Sequence, residues 1–199
     1  MANPENKEVN APVSAENLAA AARAAGRKGP PPVHLWNPPF CGDLDMEIRR
    51  DGTWFYLGTP IGRHALVRLF ASIIRKDGED YFLVTPVEKV GIRVIDAPFV
   101  AVDAEVEGEG RARRITFTTN VEDVVEAGPD HPIRVARDPA TGEPSPYVLV
   151  RANLEALIDR KTFYRLVERG SHADHEGSRW FGLWSGGSFF PVIPSAELA

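Results

Sequence analysis

The chain has a single cysteine, Cys41, among its 199 residues. No disulfide can close within it, and the lone thiol fits a reducing compartment. No apolar run is long enough to span a bilayer. The first ten residues, MANPENKEVN, hold no basic start followed by an apolar stretch, so no secretory signal is read and the protein is expected to be soluble and cytoplasmic. Positive charge is in deficit, with 23 Lys and Arg against 28 Asp and Glu and a net charge of −5. That balance speaks against duplex nucleic acid and anionic membranes, since both select a basic face.

Catalytic signatures are missing too. There is no Walker loop, no H-E-x-x-H and no dinucleotide fingerprint. Ser185 precedes Gly186 and Gly187, but Gly182 stands one residue too early for the G-x-S-x-G elbow. His172, Asp174 and His175 lie close together in a polar segment without further ligands at a metal-binding spacing. The sequence therefore calls for no metal and no cofactor, and an enzyme is the minority reading.

What the chain does have is an ordinary globular balance of 43% hydrophobic and 26% charged residues, enough for one domain or two small ones. The stretch from Pro32 to Gly62 is the densest in information. It gathers Trp36, Phe40, Trp54, Phe55 and Tyr56 around Asp43 and Asp45, with prolines and glycines at the bends. Such a stretch builds either a core seam or a site.

In chain order, residues 1–13 are polar and read as disordered. Ser14 then caps a short alanine-rich helix through Ala25, which has little apolar surface to bury. Gly29 to Pro32 reads as a stiff polyproline linker, so residues 1–32 form a flexible N-terminal segment. Met46–Arg50 and Trp54–Leu57 read as strands around the Asp51-Gly52 turn. Thr59 and Pro60 signal a helix start. Leu66, Leu69, Phe70 and Ile73 recur at helical spacing as far as Gly78.

Strands are expected at Tyr81–Thr85, Lys89–Ile95, Phe99–Glu107, Arg113–Thr119, Ile133–Arg137 and Tyr147–Val150. A helical stretch follows from Asn153 to Gly170, with a break near Asp159, then a polar loop SHADHEGS, and the strands Trp180–Trp184 and Ser188–Ile193. RHALVRLF from Arg63 aligns with RKTFYRLV from Arg160, each preceded by a hairpin and followed by strands. The reading is a duplicated α+β chain of hairpin–helix–strand units with mostly antiparallel sheets. The units run over 33–97 and 98–199.

The segments GDLDMEIRRDGTWFYLGTPIGR, DYFLVTPVEKVGIRV and LWSGGSFFP agree in order with an uncharacterised proteobacterial family, catalogued as domain of unknown function 1285. The chain resembles that family from about Pro32 to Pro191. The resemblance implies a duplicated α+β core whose second half is superficially similar to a pleckstrin-homology fold. It also implies a ligand site between the halves, suggested to be nucleotide-like, and a signalling role. It carries no established activity.

In the stretch Thr85–Ile95, Lys89 and Arg93 flank Gly91 on one strand face. There a bare backbone lets an anion approach. Asp43 and Asp45, two apart, share a face if extended, where they hold a cation or cap turns. The site reading is a seam between the halves lined by Trp36, Asp45, Trp54, Tyr56, Lys89, Arg93, Arg151 and Trp184. In it the aromatics stack a small anionic, nucleotide-like ligand and the cations hold its phosphate. The alternative is a protein-interaction module of pleckstrin-like type without a small ligand. A metal-dependent hydrolase comes third.

Overall fold

The computed structural model describes residues 14–26 and 30–198; the expected disorder of 1–13 lies outside them, as does Gly29 of the linker. The first half begins at β1 (Phe40–Ile48), where Leu44, Met46 and Ile48 alternate inward and are buried. The Asp51-Gly52 turn closes as the sequence implies. Gly52 adopts a φ of 81°, and the Asp51 carboxylate accepts from the Thr53 N–H at 2.9 Å. Strand β2 (Trp54–Tyr56) returns along β1, and β3 (Thr59–Pro60) returns along β2. Thr59 and Pro60 are thus not a helix start. Proline is tolerated here because β3 is the edge of its sheet.

The helix α2 (His64–Ala71) starts after Arg63 and stops well before Gly78. Past Ala71, the Ser72 hydroxyl turns back to the Leu69 carbonyl at 2.6 Å, and the β-branched pair Ile73 and Ile74 favours extension. The chain continues as β4 (Ile74–Asp77), β5 (Asp80–Val84) and β6 (Lys89–Val94), the last lying parallel to β1. The sheet order is β3-β2-β1-β6-β5-β4.

The second half repeats this order. Strands β7 (Phe99–Glu107), β8 (Arg114–Thr119) and β9 (Val124–Glu126) form one meander, and β10 (Ile133–Arg137), β11 (Pro144–Arg151) and β12 (Leu154–Ile158) form another. Their order is β10-β11-β12-β7-β8-β9, with β12 parallel to β7. Each sheet therefore consists of two meanders joined in parallel through the first and last of its six strands, and the architecture is duplicated α+β. The strands set the register of the repeat, β1–β6 against β7–β12, and the helices do not follow it. α2 lies between the third and fourth strands of its sheet, whereas α3 (Arg160–Val167) follows the sixth.

Two expectations in the C-terminal part are corrected. Leu154, Ala156 and Ile158 are buried in alternation, so their period is two and they form a strand. The helix starts only at Asp159, whose carboxylate accepts from the Thr162 N–H at 2.6 Å. The segment SHADHEGS is not a loop but strand β13 (Ser171–His175) and a turn. Glu176 and Gly177 both take positive φ there, as a two-residue hairpin of this hand requires. β13 pairs with β14 (Ser178–Ser185), which pairs with β15 (Ser188–Pro194), in a third, antiparallel sheet.

The alanine-rich helix α1 (Ala15–Ala25) is also more than a loose appendage. Leu18 and Ala22 are 0% exposed and Ala19 is 4% exposed, and the helix packs on α2. An alanine face lets two helix axes approach closely, so a helix with few large side chains still joins the core. The core cluster runs through α1, both large sheets and, at Leu183 and Phe190, the third sheet.

Candidate functional site

Side chains from both halves meet along a polar seam. His64 lies 2.9 Å from the Asn120 carbonyl, and Asn120 donates to the Gly52 carbonyl at 3.3 Å. Arg50 pairs with Asp96 at 2.9 Å, which also accepts from the Tyr147 hydroxyl at 2.7 Å. Asn153 donates to the Lys76 carbonyl at 3.1 Å. Arg151 donates to the carbonyl of Ala71 at 2.7 Å and pairs with Asp123.

Between these links lies a cavity of about 790 Å³. Its walls come from four separate places. Ala65, Leu69, Ala71 and Ser72 stand on α2, with Ile74 and Arg75 on β4; Val121 and Asp123 belong to the β8–β9 turn. Ala152 and Asn153 form the β11–β12 turn and Leu154 opens β12, and Pro30, Pro31, Val33 and His34 come from the proline-rich entry. Most of these surfaces are aliphatic, and none of the lining residues is Phe, Tyr or Trp.

Two of the three arginines at the cavity are fully engaged. Arg75 makes paired 2.9 Å bonds to Asp77 and donates to the carbonyls of Val33 and Trp36 at 3.2 and 2.7 Å. This fastens the 3₁₀ turn Val33–Leu35 to β4. Arg151 is held by Asp123, Ala71 and the ring of Phe99, 4.6 Å away. Among the described residues Arg68 has one ion-pair partner, Glu122 at 2.7 Å, and both side chains are about half exposed.

Of the eight residues read from the sequence as a seam site, only Arg151 lines this cavity. Trp36 packs on the core and offers its carbonyl to Arg75. Trp54 is buried and lies against Phe70 with ring centroids 6.3 Å apart and planes 20° apart; Tyr56 packs on the same core. Trp184 belongs to the third sheet, beside Phe189 at 5.2 Å and under the Arg111 guanidinium at 5.0 Å. The structure does not bring these rings together.

Asp45, Lys89 and Arg93 lie on the outer side of the first sheet, and its electrostatics differ from the anion-binding reading. Lys89 bonds to Asp77 at 2.7 Å and covers the Phe82 ring at 3.8 Å. Arg93 bonds to Glu47 at 2.6 Å. Gly91 is not bare, because the Asp43 carboxylate lies over it; an added Cβ would run into that carboxylate. An anion approaching Gly91 therefore meets negative charge first. The Arg93 and Arg49 guanidiniums hold Glu47 below the ordinary carboxylate value. Hydrogen bonds from Arg75 and then Lys89 do the same for Asp77, against the opposing pull of burial.

The geometry places two other motifs. Ser185 is 0% exposed, accepts from the Ile115 N–H at 2.8 Å and donates to the Ala127 carbonyl at 2.7 Å. It is a structural clasp and not a nucleophile. His172 bonds to Ser195 at 2.7 Å, and no group of three or more His, Cys, Asp or Glu among the described residues can hold a metal. No helix among them is long and apolar enough to cross a membrane.

Among the cavity residues that the sequence did not mark as a site are Arg68, Leu69, Ile74, Val121, Asn153 and Leu154. Leu69 and Ile73, its neighbour at helical spacing, were legible as apolar helix positions. Nothing in the sequence joins them to a turn 50 or 80 residues away.

Fold and cavity define a duplicated α+β protein with a largely aliphatic chamber where the two halves meet. The comparisons agree with that class. Residues 31–97 match the family described as "Domain of unknown function (DUF1285), N-terminal domain", and residues 98–192 match "Protein of unknown function (DUF1285), C-terminal domain". The chain belongs to the DUF1285 family. It is 65% identical to a DUF1285 family protein from Silicibacter pomeroyi DSS-3, whose crystal structure superposes with a TM-score of 0.83 over 91% of this chain and 97% of that one. A second relative, from Shewanella baltica OS155, is 28% identical with a TM-score of 0.50, over 63% of this chain and 92% of that one. No curated protein matches the chain.

Proposed function

We propose that the protein is a small-ligand-binding module, a sensor in function, whose ligand seats in the chamber between the halves. One observation carries this reading: a largely aliphatic cleft of about 790 Å³, open to solvent past the exposed Ala65, Arg68 and Asn153, lies in the seam. That volume is in the range of small-molecule sites, which are characteristically apolar with a few placed polar groups. The location agrees with the site between halves that the family resemblance implies. The nucleotide-like part of that expectation finds little support, because the lining holds no Phe, Tyr or Trp and the imidazole of His34 is its one aromatic ring.

The test is a thermal-shift screen of small compounds on the protein and on Ala65→Trp. Ala65 is exposed on α2 and lines the chamber, so a tryptophan there fills space without entering the core. Ligands raise the stability of the folded state by mass action. A compound that shifts the wild-type protein and not Ala65→Trp supports the reading. Equal shifts in both proteins, or none across a broad screen, overturn it.

A further inference from the structure

We propose that the ligand is an aliphatic carboxylate, an acyl chain ending in a free acid, and that Arg68 receives the acid group. This inference rests on the chamber being the ligand site. The shape and chemistry of the walls select the chain. Leu69 presents branched aliphatic surface beside the nearly buried edges of Ile74, Val121 and Leu154, and no Phe, Tyr or Trp is among the lining residues. A flexible chain needs only release of water and dispersion contacts, whereas a flat heterocycle finds only the His34 imidazole to stack on.

The arginines select the end group. Arg75 and Arg151 already satisfy their guanidiniums with carboxylates, backbone carbonyls and a ring. Arg68 is at the cavity wall with one carboxylate partner, Glu122, and the two side chains are 50% and 53% exposed. A solvated ion pair of that kind holds its partners weakly. A ligand carboxylate whose chain is buried in the chamber replaces Glu122 on the Arg68 guanidinium with two parallel charge-assisted bonds. Glu122 is then a built-in competitor for the site.

The experiment titrates the full chain with decanoate and with its methyl ester, followed by nuclear magnetic resonance shifts. Both Arg68 and Glu122 are surface groups, so Arg68→Gln and Glu122→Gln leave the core untouched. Decanoate is expected to bind. Arg68→Gln should weaken it roughly tenfold or more while leaving the ester unchanged, as loss of a charge-assisted bond does. Glu122→Gln should tighten decanoate several-fold by removing the competitor.

Decanoate binding that is indifferent to Arg68→Gln overturns the proposal, as does a preference for the ester or weaker binding in Glu122→Gln. So does a failure of decanoate to bind at all. The two readings fail differently. If decanoate fails while other compounds bind the wild type and not Ala65→Trp, the chamber remains the site and only the ligand class is wrong. If decanoate binds equally well to Ala65→Trp, the chamber itself is not where ligands seat.

Discussion

The Nη2 of Arg151, in the second half, donates to the backbone carbonyl of Ala71, 2.7 Å away, at the last residue of α2 in the first half. A cation placed at a helix C-terminus meets its unsatisfied carbonyls and the negative end of its dipole. The same guanidinium pairs with Asp123 and covers the Phe99 ring at 4.6 Å. Arg151 is thus a bolt between the halves. Arg151→Ala should lower stability by about 1.5–3 kcal/mol, the range for bonds to a charged group, read as a fall in the urea midpoint. An unchanged midpoint would remove it from the seam's structure.

Leu18 tests the docking of α1. Its side chain is 0% exposed between the N-terminal helix and the core. Leu18→Ala is expected to cost about 2–5 kcal/mol, as buried truncations do. Removing the whole helix should lower the melting temperature by several degrees. If both proteins melt like the parent, the helix does not dock in solution.

Trp54 separates core from site. Its ring lies against Phe70, and its Nε1 is buried without a hydrogen-bond partner among the described residues. Trp54→Ala should cost about 3–5 kcal/mol. Trp54→Phe keeps an aromatic contact and removes the unsatisfied N–H, so its cost should be much smaller, under about 1.5 kcal/mol. Chemical denaturation of the two variants decides; comparable losses would show that the indole N–H has an acceptor after all.

Asp77 sets a pH dependence. Hydrogen bonds from Arg75 and Lys89 depress its folded pKa. A depressed carboxylate contributes stability that is present above its unfolded pKa, about 3.9, and is lost as pH falls through the lower folded value. Asp77→Asn should therefore lower the melting temperature near pH 7 and narrow its difference from the wild type below about pH 4. A gap that stays constant between pH 7 and pH 3 would show that this carboxylate does not titrate as the salt bridges require.

The sequence was most legible where alternation and turn chemistry act locally. Phe99–Glu107 and Ile133–Arg137 form strands with the bounds read from their pattern, and Asp51-Gly52 makes its turn. It misled where one pattern serves two structures. Leu154, Ala156 and Ile158 fit a strand as well as part of a helix, and the sheet partner Phe99–Ala101 decided for the strand. Thr59-Pro60 carries a helix-start signal, and pairing with Phe55 and Tyr56 overrode it. The aromatics were read as one constellation because they are close in sequence or similar in kind. Folding sends Trp54 into the core, Trp184 to the third sheet and Trp36 to the β4 edge.

By itself, then, the sequence determined the acidic surface, the absence of internal disulfides, the duplicated α+β plan and the faces of most strands, since each follows from composition or from neighbours a few residues apart. Only the tertiary structure decided that β1 lies beside β6 and β7 beside β12, and that α1 docks. It also decided that Arg75 and Arg151 are engaged by several groups while Arg68, among the described residues, pairs with Glu122. Alternation tells a strand which face to bury but not which strand to pair with. A guanidinium looks the same in sequence whether a carbonyl 80 residues away awaits it or not.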